Sequence, residues 1–371
     1  MGIFGEKIYA IKSYRIDPDG APPVLDWHRL EINQAKGIET NFLADTNLMI
    51  EIDKACDDNE SASDETLKKY GLLKWVQFLR GCDERRIGYG FTPFFAYSEM
   101  PRHLAQLRSR RLDSFARKFG LDWSSDPNIQ LVDDIGLVER SFSSLEPTQQ
   151  RFLALSFSAL LLMLIVIRDG EDFSPIGKYK RYLREYKSRI GIVSVKELAI
   201  ARYVFSSQKD CPGMLDQVRS RVEKNFARYK DRHPKNPLEM ERVALNGAFD
   251  LALFNVMNVA DTRGIEGQKL DCWLFTMDGK LSEYNDLCFG ASFGTGQAGL
   301  FTAINHHAEV GEYWRASGEC LQKLALEGSR RVLEEMRKEC LGISDEKVRR
   351  KKIEMLPEVA RRIIALSHQE I

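Results

Sequence analysis

Apolar and polar positions recur along this chain with two periods, one strand-like and one helix-like, and the alternation between them divides the sequence into elements. Residues 7–15 read as a strand, followed by a turn at Asp17-Pro18-Asp19-Gly20 and a loop through Pro22-Pro23. Residues 41–44 form a short apolar run that ends at Asp45. A helical pattern follows through Leu48, Met49, Ile52 and Ala55, so this stretch predicts a strand, a tight turn and a helix. After an acidic loop at 57–65, residues 72–79 predict a helix. Another is expected to open at Thr92-Pro93, with threonine as N-cap and proline at the first helical position.

From about 103 to 240 the pattern is mostly helical and strongly charged. Within it, Tyr179, Tyr182, Leu183 and Tyr186 form a one-sided stripe, and Lys180, Arg181, Arg184 and Lys187 occupy the rest of the surface. The run His233-Pro234-Lys235-Asn236-Pro237 breaks the chain before a helix over 238–258, with Leu245, Phe249, Ala252, Leu253 and Val256 on its apolar side. Residues 270–275 predict a compact strand closed by Thr276-Met277-Asp278-Gly279. A glycine-rich loop spans 290–299, and 312–371 is helical, with a basic run at 347–352 that reads as a solvated helix face. No internal repeat is visible.

One stretch departs from amphipathic patterning. Residues 152–167 carry no charge and are bracketed by Arg151 and Arg168. As a helix they would rise ~24 Å, short of the roughly 20 residues a spanning helix needs. A central helix buried on all sides is the expectation, with burial between copies of the chain as the alternative, and no membrane is called for.

Composition narrows the field. A chain of 371 residues, 43% hydrophobic and 29% charged, has the make-up of a soluble globular protein with room for two domains or one large insertion. Lys plus Arg equals Asp plus Glu at 54 each, which excludes a globally basic nucleic-acid binder but permits a local basic surface beside an acidic pocket. The seven cysteines contain no CxxC pair, so neither a disulfide framework nor a structural zinc site is expected. His306–His307 is the only histidine pair, and adjacent helical residues do not share a face. The first fifteen residues lack the long apolar segment of a signal peptide, and the cytoplasm is the expected location.

The candidate chemistry lies at the strand ends. Two apolar strands terminate in aspartate, at Asp45 and Asp278, and ligands of open α/β sheets collect at the carboxyl ends of strands. Glu99, on the helix expected after Thr92-Pro93, and Asp250, on the helix over 238–258 with Asn246 one turn earlier, supply two further carboxylates. A carboxylate cluster repels itself unless cations neutralise it, and hard oxygen ligands suit Mg²⁺ or Mn²⁺. Two such ions can activate a water and stabilise a departing phosphodiester oxygen.

These residues resemble the PIN-domain nuclease family, whose pattern is an apolar strand ending in Asp-Thr-Asn, a helix glutamate, a later helix aspartate and a strand ending in Thr-x-Asp. Here they stand as Asp45-Thr46-Asn47, Glu99, Asp250 and Thr276-Met277-Asp278. The resemblance implies that Asp45, Glu99, Asp250 and Asp278 are metal-binding acids, with Thr46, Asn47 and Thr276, and Asn246 beside Asp250, orienting them. It implies an α/β fold with a Rossmann-like parallel sheet, and cleavage of single-stranded RNA. It covers about 36–110 and 240–290. The expected organisation is an N-terminal strand and loop over 1–35, a PIN-like domain over 36–290 with a helical insertion at about 103–240, and a helical region over 291–371. Glu99 and Asp250 stand further apart than in the family, which requires the helical insertion, and the interval from Asp250 to Asp278 is also stretched, so Asp261 or Asp271 are alternatives for the third acid. Arg102 and Arg108, beyond Glu99, are the expected substrate-binding cations, with 178–189 adding more.

Three other readings compete with this one. The loop with Gly290, Gly294, Gly296 and Gly299 suggests phosphate binding but lacks the GK[ST] ending of a P-loop. A phosphatase that uses a strand-end aspartate needs a second aspartate two residues on, where Asn47 stands. A non-catalytic PIN-like interaction protein is the third.

Overall fold

A computed structural model describes residues 2–4, 7–17, 19–57, 59–93, 96–97, 99–100, 102–123, 141–263, 268–285, 287–291, 301–340, 351 and 353–369. In chain order the elements begin with strands β1 (Gly2–Phe4), β2 (Ile8–Ile11) and β3 (Tyr14–Ile16), then helix α1 (Trp27–Ala35). Next come β4 (Glu39–Ala44), α2 (Thr46–Ala55), α3 (Asp64–Lys69), α4 (Leu73–Glu84), β5 (Tyr89–Thr92) and α5 (Arg102–Phe119). A helical series follows: α6 (Pro147–Asp169), α7 (Pro175–Arg189), α8 (Val195–Phe205), α9 (Met214–Phe226) and α10 (Pro237–Arg263). The chain closes with β6 (Leu270–Thr276), α11 (Gly279–Tyr284), β7 (Cys288–Ala291), β8 (Phe301–Ile304), α12 (Glu312–Cys340) and α13 (Leu356–Ser367). The fold is mixed α/β with a small, partly parallel sheet and many helices.

The chain divides into two compact units. The first comprises Met1–Val138, Leu253–Asn285 and Phe289–Ala303; the second comprises Glu139–Ala252, Asp286–Cys288 and Ile304–Ile371. In the first unit a five-stranded sheet has the order β1-β2-β6-β4-β5. β4 pairs in parallel with β5 on one side and with β6 on the other, from Glu39↔Leu270 to Ala44↔Phe275. These strands read as apolar runs because both faces are covered. Phe42 meets Phe275 edge-on at 5.0 Å, and the fully buried Trp75 of α4 closes on Phe275 at 6.0 Å.

Two local expectations change. Residues 7–15 form two strands, not one, and β2 runs antiparallel to β6 (Ile11↔Leu274), so the N-terminal segment is part of the sheet. Thr92 ends strand β5, paired with Leu43, so it is not the N-cap of a helix. Its side chain donates to Asn41 at 2.8 Å.

The second unit is helical. The charge-free stretch lies in α6, where Pro147 occupies the first turn behind a Glu146/Gln149 capping box and residues 156–166 are buried. α7, α8 and α13 pack on α6. Gly247 lets α10 approach closely: a Cβ there would stand 2.8 Å from Leu160 and 2.9 Å from Phe226. Tyr179, Tyr182 and Tyr186 of α7 are fully buried and serve as core. By length and composition Pro147–Asp169 and Pro237–Asp261 are apolar enough to cross a membrane, but most of each is buried within the fold.

Candidate active site

Because β4 and β6 are parallel neighbours, the residues that follow them leave the sheet at the same end. Asp45 follows Ala44 and caps α2, its Oδ1 accepting from the Leu48 amide at 2.8 Å. The Asp45 amide donates to the Phe275 carbonyl at 3.1 Å, extending the ladder by one residue. Thr276, the last residue of β6, donates its hydroxyl to Asp45 Oδ2. The same Thr276 oxygen accepts the amide of Asp278 at 2.8 Å, and Asp278 in turn caps α11 through the Lys280 amide at 2.9 Å. One threonine therefore ties both strand-end aspartates together.

Glu99 joins from a third segment. Its carboxylate accepts the hydroxyl of Thr46, the first residue of α2. Glu99 does not lie within a helix shared with Arg102: it sits in a turn, and α5 begins at Arg102. Asp45 is buried. Burial pushes its carboxyl up to about 7, the bonds from Thr276 and Leu48 hold it back, and the negative charges of Glu99 and Asp278 push the same way as burial. A buried carboxylate with two acidic neighbours and only two neutral donors is short of positive charge, the condition a hard divalent cation relieves. Asp45, Glu99 and Asp278 are the residues that would hold it. As placed, no three His, Cys, Asp or Glu side chains stand at metal-ligand spacing among the described residues.

A shallow cleft of about 330 Å³ opens here, lined by Lys7, Asn47, Ile50, Glu51, Met277 and Asp278. Two charged residues of this lining, Lys7 and Glu51, were missed in the sequence. Glu51 stands one turn after Asn47 on α2, a spacing that shares a face and offered a signal; its carboxylate meets Lys54 at 2.7 Å. Lys7 precedes β2, and its place depends on pairing with a strand nearly the whole chain away.

Asp250 and Asn246 are on the part of α10 that belongs to the second unit. Asp261 and Asp271, the alternatives for a third acid, are engaged at the opposite end of β6. Lys12 Nζ stands 2.5 Å from Asp261 and 3.0 Å from Asp271, and Arg29 grips Asp271 through Nε and Nη2 at 3.2 and 3.1 Å. Arg108 faces Asp53 at 3.6 Å and Met100 Sδ at 2.9 Å, while Arg111 meets Asp53 at 2.8 Å. The Arg102 side chain lies outside the described residues, as do residues 292–300 of the glycine-rich loop and most of the basic run at 347–352.

No known family model, characterised protein or solved structure matches this chain.

Proposed function

We propose that this cleft is the active site of a PIN-like, metal-dependent endonuclease that hydrolyses phosphodiester bonds, with single-stranded RNA as substrate. The observation that carries the reading is the pair of aspartates leaving adjacent parallel strands, joined by Thr276, with Asp45 buried beside Glu99 and Asp278. Asp45, Glu99 and Asp278 hold Mg²⁺ or Mn²⁺. When bound, the ion supplies a water of lowered pKa and neutralises charge on the phosphate. Thr276 and Thr46 fix the Asp45 and Glu99 carboxylates, and Asn47, exposed at the cleft, orients water or substrate. Asp250 is the fourth acid by family order alone, and the proposal stands on the three acids of the first unit.

Single-stranded RNA is favoured because a chain with 54 cations and 54 anions has no excess charge for the many phosphate contacts long duplex DNA requires, whereas a short strand needs only a local groove. The test is a cleavage assay with Mn²⁺ on matched single-stranded RNA, single-stranded DNA, duplex DNA and structured tRNA. Wild type should cut RNA, EDTA should stop it, and Asp45→Asn should lose activity while its circular dichroism is unchanged. Preferential cutting of duplex DNA would reject the substrate and keep the nuclease. Full activity in Asp45→Asn would reject the site, and no cutting of any substrate would favour the non-catalytic PIN-like reading.

A further inference from the structure

An acidic cleft that receives a phosphodiester needs a cation of its own, because the strand must approach against Asp45, Glu99, Asp278 and Glu51. Of the two arginines expected for this task, Arg108 is turned to Asp53, which its neighbour Arg111 also meets, and the Arg102 side chain lies outside the described residues. Resting on the nuclease reading above, we propose that Lys7, on the N-terminal hairpin, is the phosphate-binding cation of the active-site cleft.

Three observations converge on it. The first is register. β2 and β6 pair antiparallel with Tyr9 opposite Thr276 and Ala10 opposite Phe275. Carried two residues further, the same register sets Lys7 across from Asp278, at the mouth of the site. The second is the lining of the cleft, where among the described residues Lys7 is the one cation beside Asn47, Ile50, Glu51, Met277 and Asp278. The third is the support of its stem. Gly71, at φ +74°, has no Cβ, and a Cβ there would stand 2.7 Å from Lys7 Cδ and 3.2 Å from its Cβ. The methylene stem thus runs over a bare stretch of backbone. The Lys7 ammonium is in no hydrogen bond or ion pair with any described residue, although Asp278 and Glu51 line the same cleft. A lysine held by its stem and left unpaired at its head offers a point charge to a phosphate oxygen.

The role is to bind and position the strand, not to move a proton. Lys7→Ala should therefore act on RNA binding and KM more than on kcat. Binding is read by fluorescence anisotropy of a labelled single-stranded RNA, with the proteins in an Asp45→Asn background so that no cleavage intervenes. Lys7→Ala should weaken binding about three- to tenfold at low salt and reduce the slope of log affinity against log salt by ~0.7, the share of one phosphate contact on a single strand. Lys7→Arg should restore both. In the cleaving protein, Lys7→Ala should raise KM with kcat nearly retained. Lys7 is exposed, so the variants should melt like wild type. Unchanged affinity and salt slope in Lys7→Ala, with wild type still cutting RNA, would overturn the role of Lys7 and leave the nuclease standing. If wild type neither binds nor cuts RNA, the nuclease reading itself is lost and Lys7 goes with it.

Discussion

At the residue scale, Thr276 joins the two aspartates that follow adjacent parallel strands. A single hydroxyl gives its proton to Asp45 and takes the amide of Asp278, so it sets the rotamer of one acid and the backbone of the other. Thr276→Val keeps the shape and removes both bonds. Cleavage should fall about 10- to 100-fold, the usual cost of losing a partner behind a metal ligand, and Thr276→Ser should recover most of it; equal activity in Val and wild type would remove Thr276 from the site. Asp45 makes a second, opposite prediction. A buried carboxyl whose folded pKa of about 7 lies above its ordinary value of 3.8 costs stability progressively as pH rises from about 4 through 7. In EDTA at pH 8, Asp45→Asn should therefore be more stable than wild type, on the order of 1–3 kcal/mol, with the gap closing toward pH 4. A lower melting temperature for Asp45→Asn at pH 8 would contradict this. Asp45, Thr276 and Asp278 were legible in the sequence because each follows a short apolar run directly. Lys7 was not, because no local pattern reports which strand its hairpin will join.

The same non-local pairing limits what can be read at the scale of elements. The apolar runs of β4 and β6 announced themselves, yet residues 8–11 stood as an isolated strand outside the domain, when in fact they extend the sheet beside β6. What fixes that pairing is a buried ionic cluster at the end of β6 away from the cleft. Lys12 donates to Asp261 and to the Cys272 carbonyl, and Asp271 receives Lys12, Arg29, Asn33 and the Trp273 indole. Burial works against Lys12 keeping its charge, but Asp261 and Asp271 outweigh it and hold the ammonium charged; Lys12 and Arg29 likewise outweigh burial at Asp271 and hold its carboxyl well below the usual range. Every member is satisfied, so the cluster ties β2, α1 and the end of α10 to β6. From sequence Asp261 and Asp271 were interchangeable with any other acid near the motif; only three-dimensional pairing shows them to be occupied. Lys12→Met would leave the buried Asp261 carboxylate without its cation, while Asp271 keeps Arg29, and should cost about 3–5 kcal/mol, measured by urea unfolding at pH 7. A loss below about 1 kcal/mol would mean the cluster contributes little to the fold.

For the whole molecule, the long interval between Glu99 and Asp250 proved informative: it contains most of a second compact unit, which the chain leaves part-way along α10. The helices of that unit were legible from their stripes and breaks, whereas its boundaries were not, since α10 carries an uninterrupted helical pattern across the division. Neutral overall charge is likewise achieved locally, pair by pair. A cavity of about 460 Å³ in the second unit is lined by Arg168, Lys178, Arg219, Arg232 and Lys235 beside His233, yet most of these lysines and arginines have an acid at hand: Asp169, Asp216, Glu239 and Glu171. Buried Glu223 is the hub, receiving Arg219 at 2.8 Å and Arg228 at 3.0 Å, with His233 Nε2 lying 2.8 Å from its Oε1. Burial would raise its carboxyl, but His233 and Arg228 beside it outweigh burial and lower it to about 2. A carboxylate with a depressed folded pKa contributes stability that is complete above its unfolded value near 4.5 and is lost as pH falls toward 2. Glu223→Gln should therefore be less stable than wild type at pH 7 by on the order of 2–3 kcal/mol. The difference should shrink between about pH 4.5 and 2, where wild type loses what the variant never had. Thermal melts of both proteins across that range measure it directly, and a gap that stays constant with pH would show that the Glu223 charge is not what holds this cluster together.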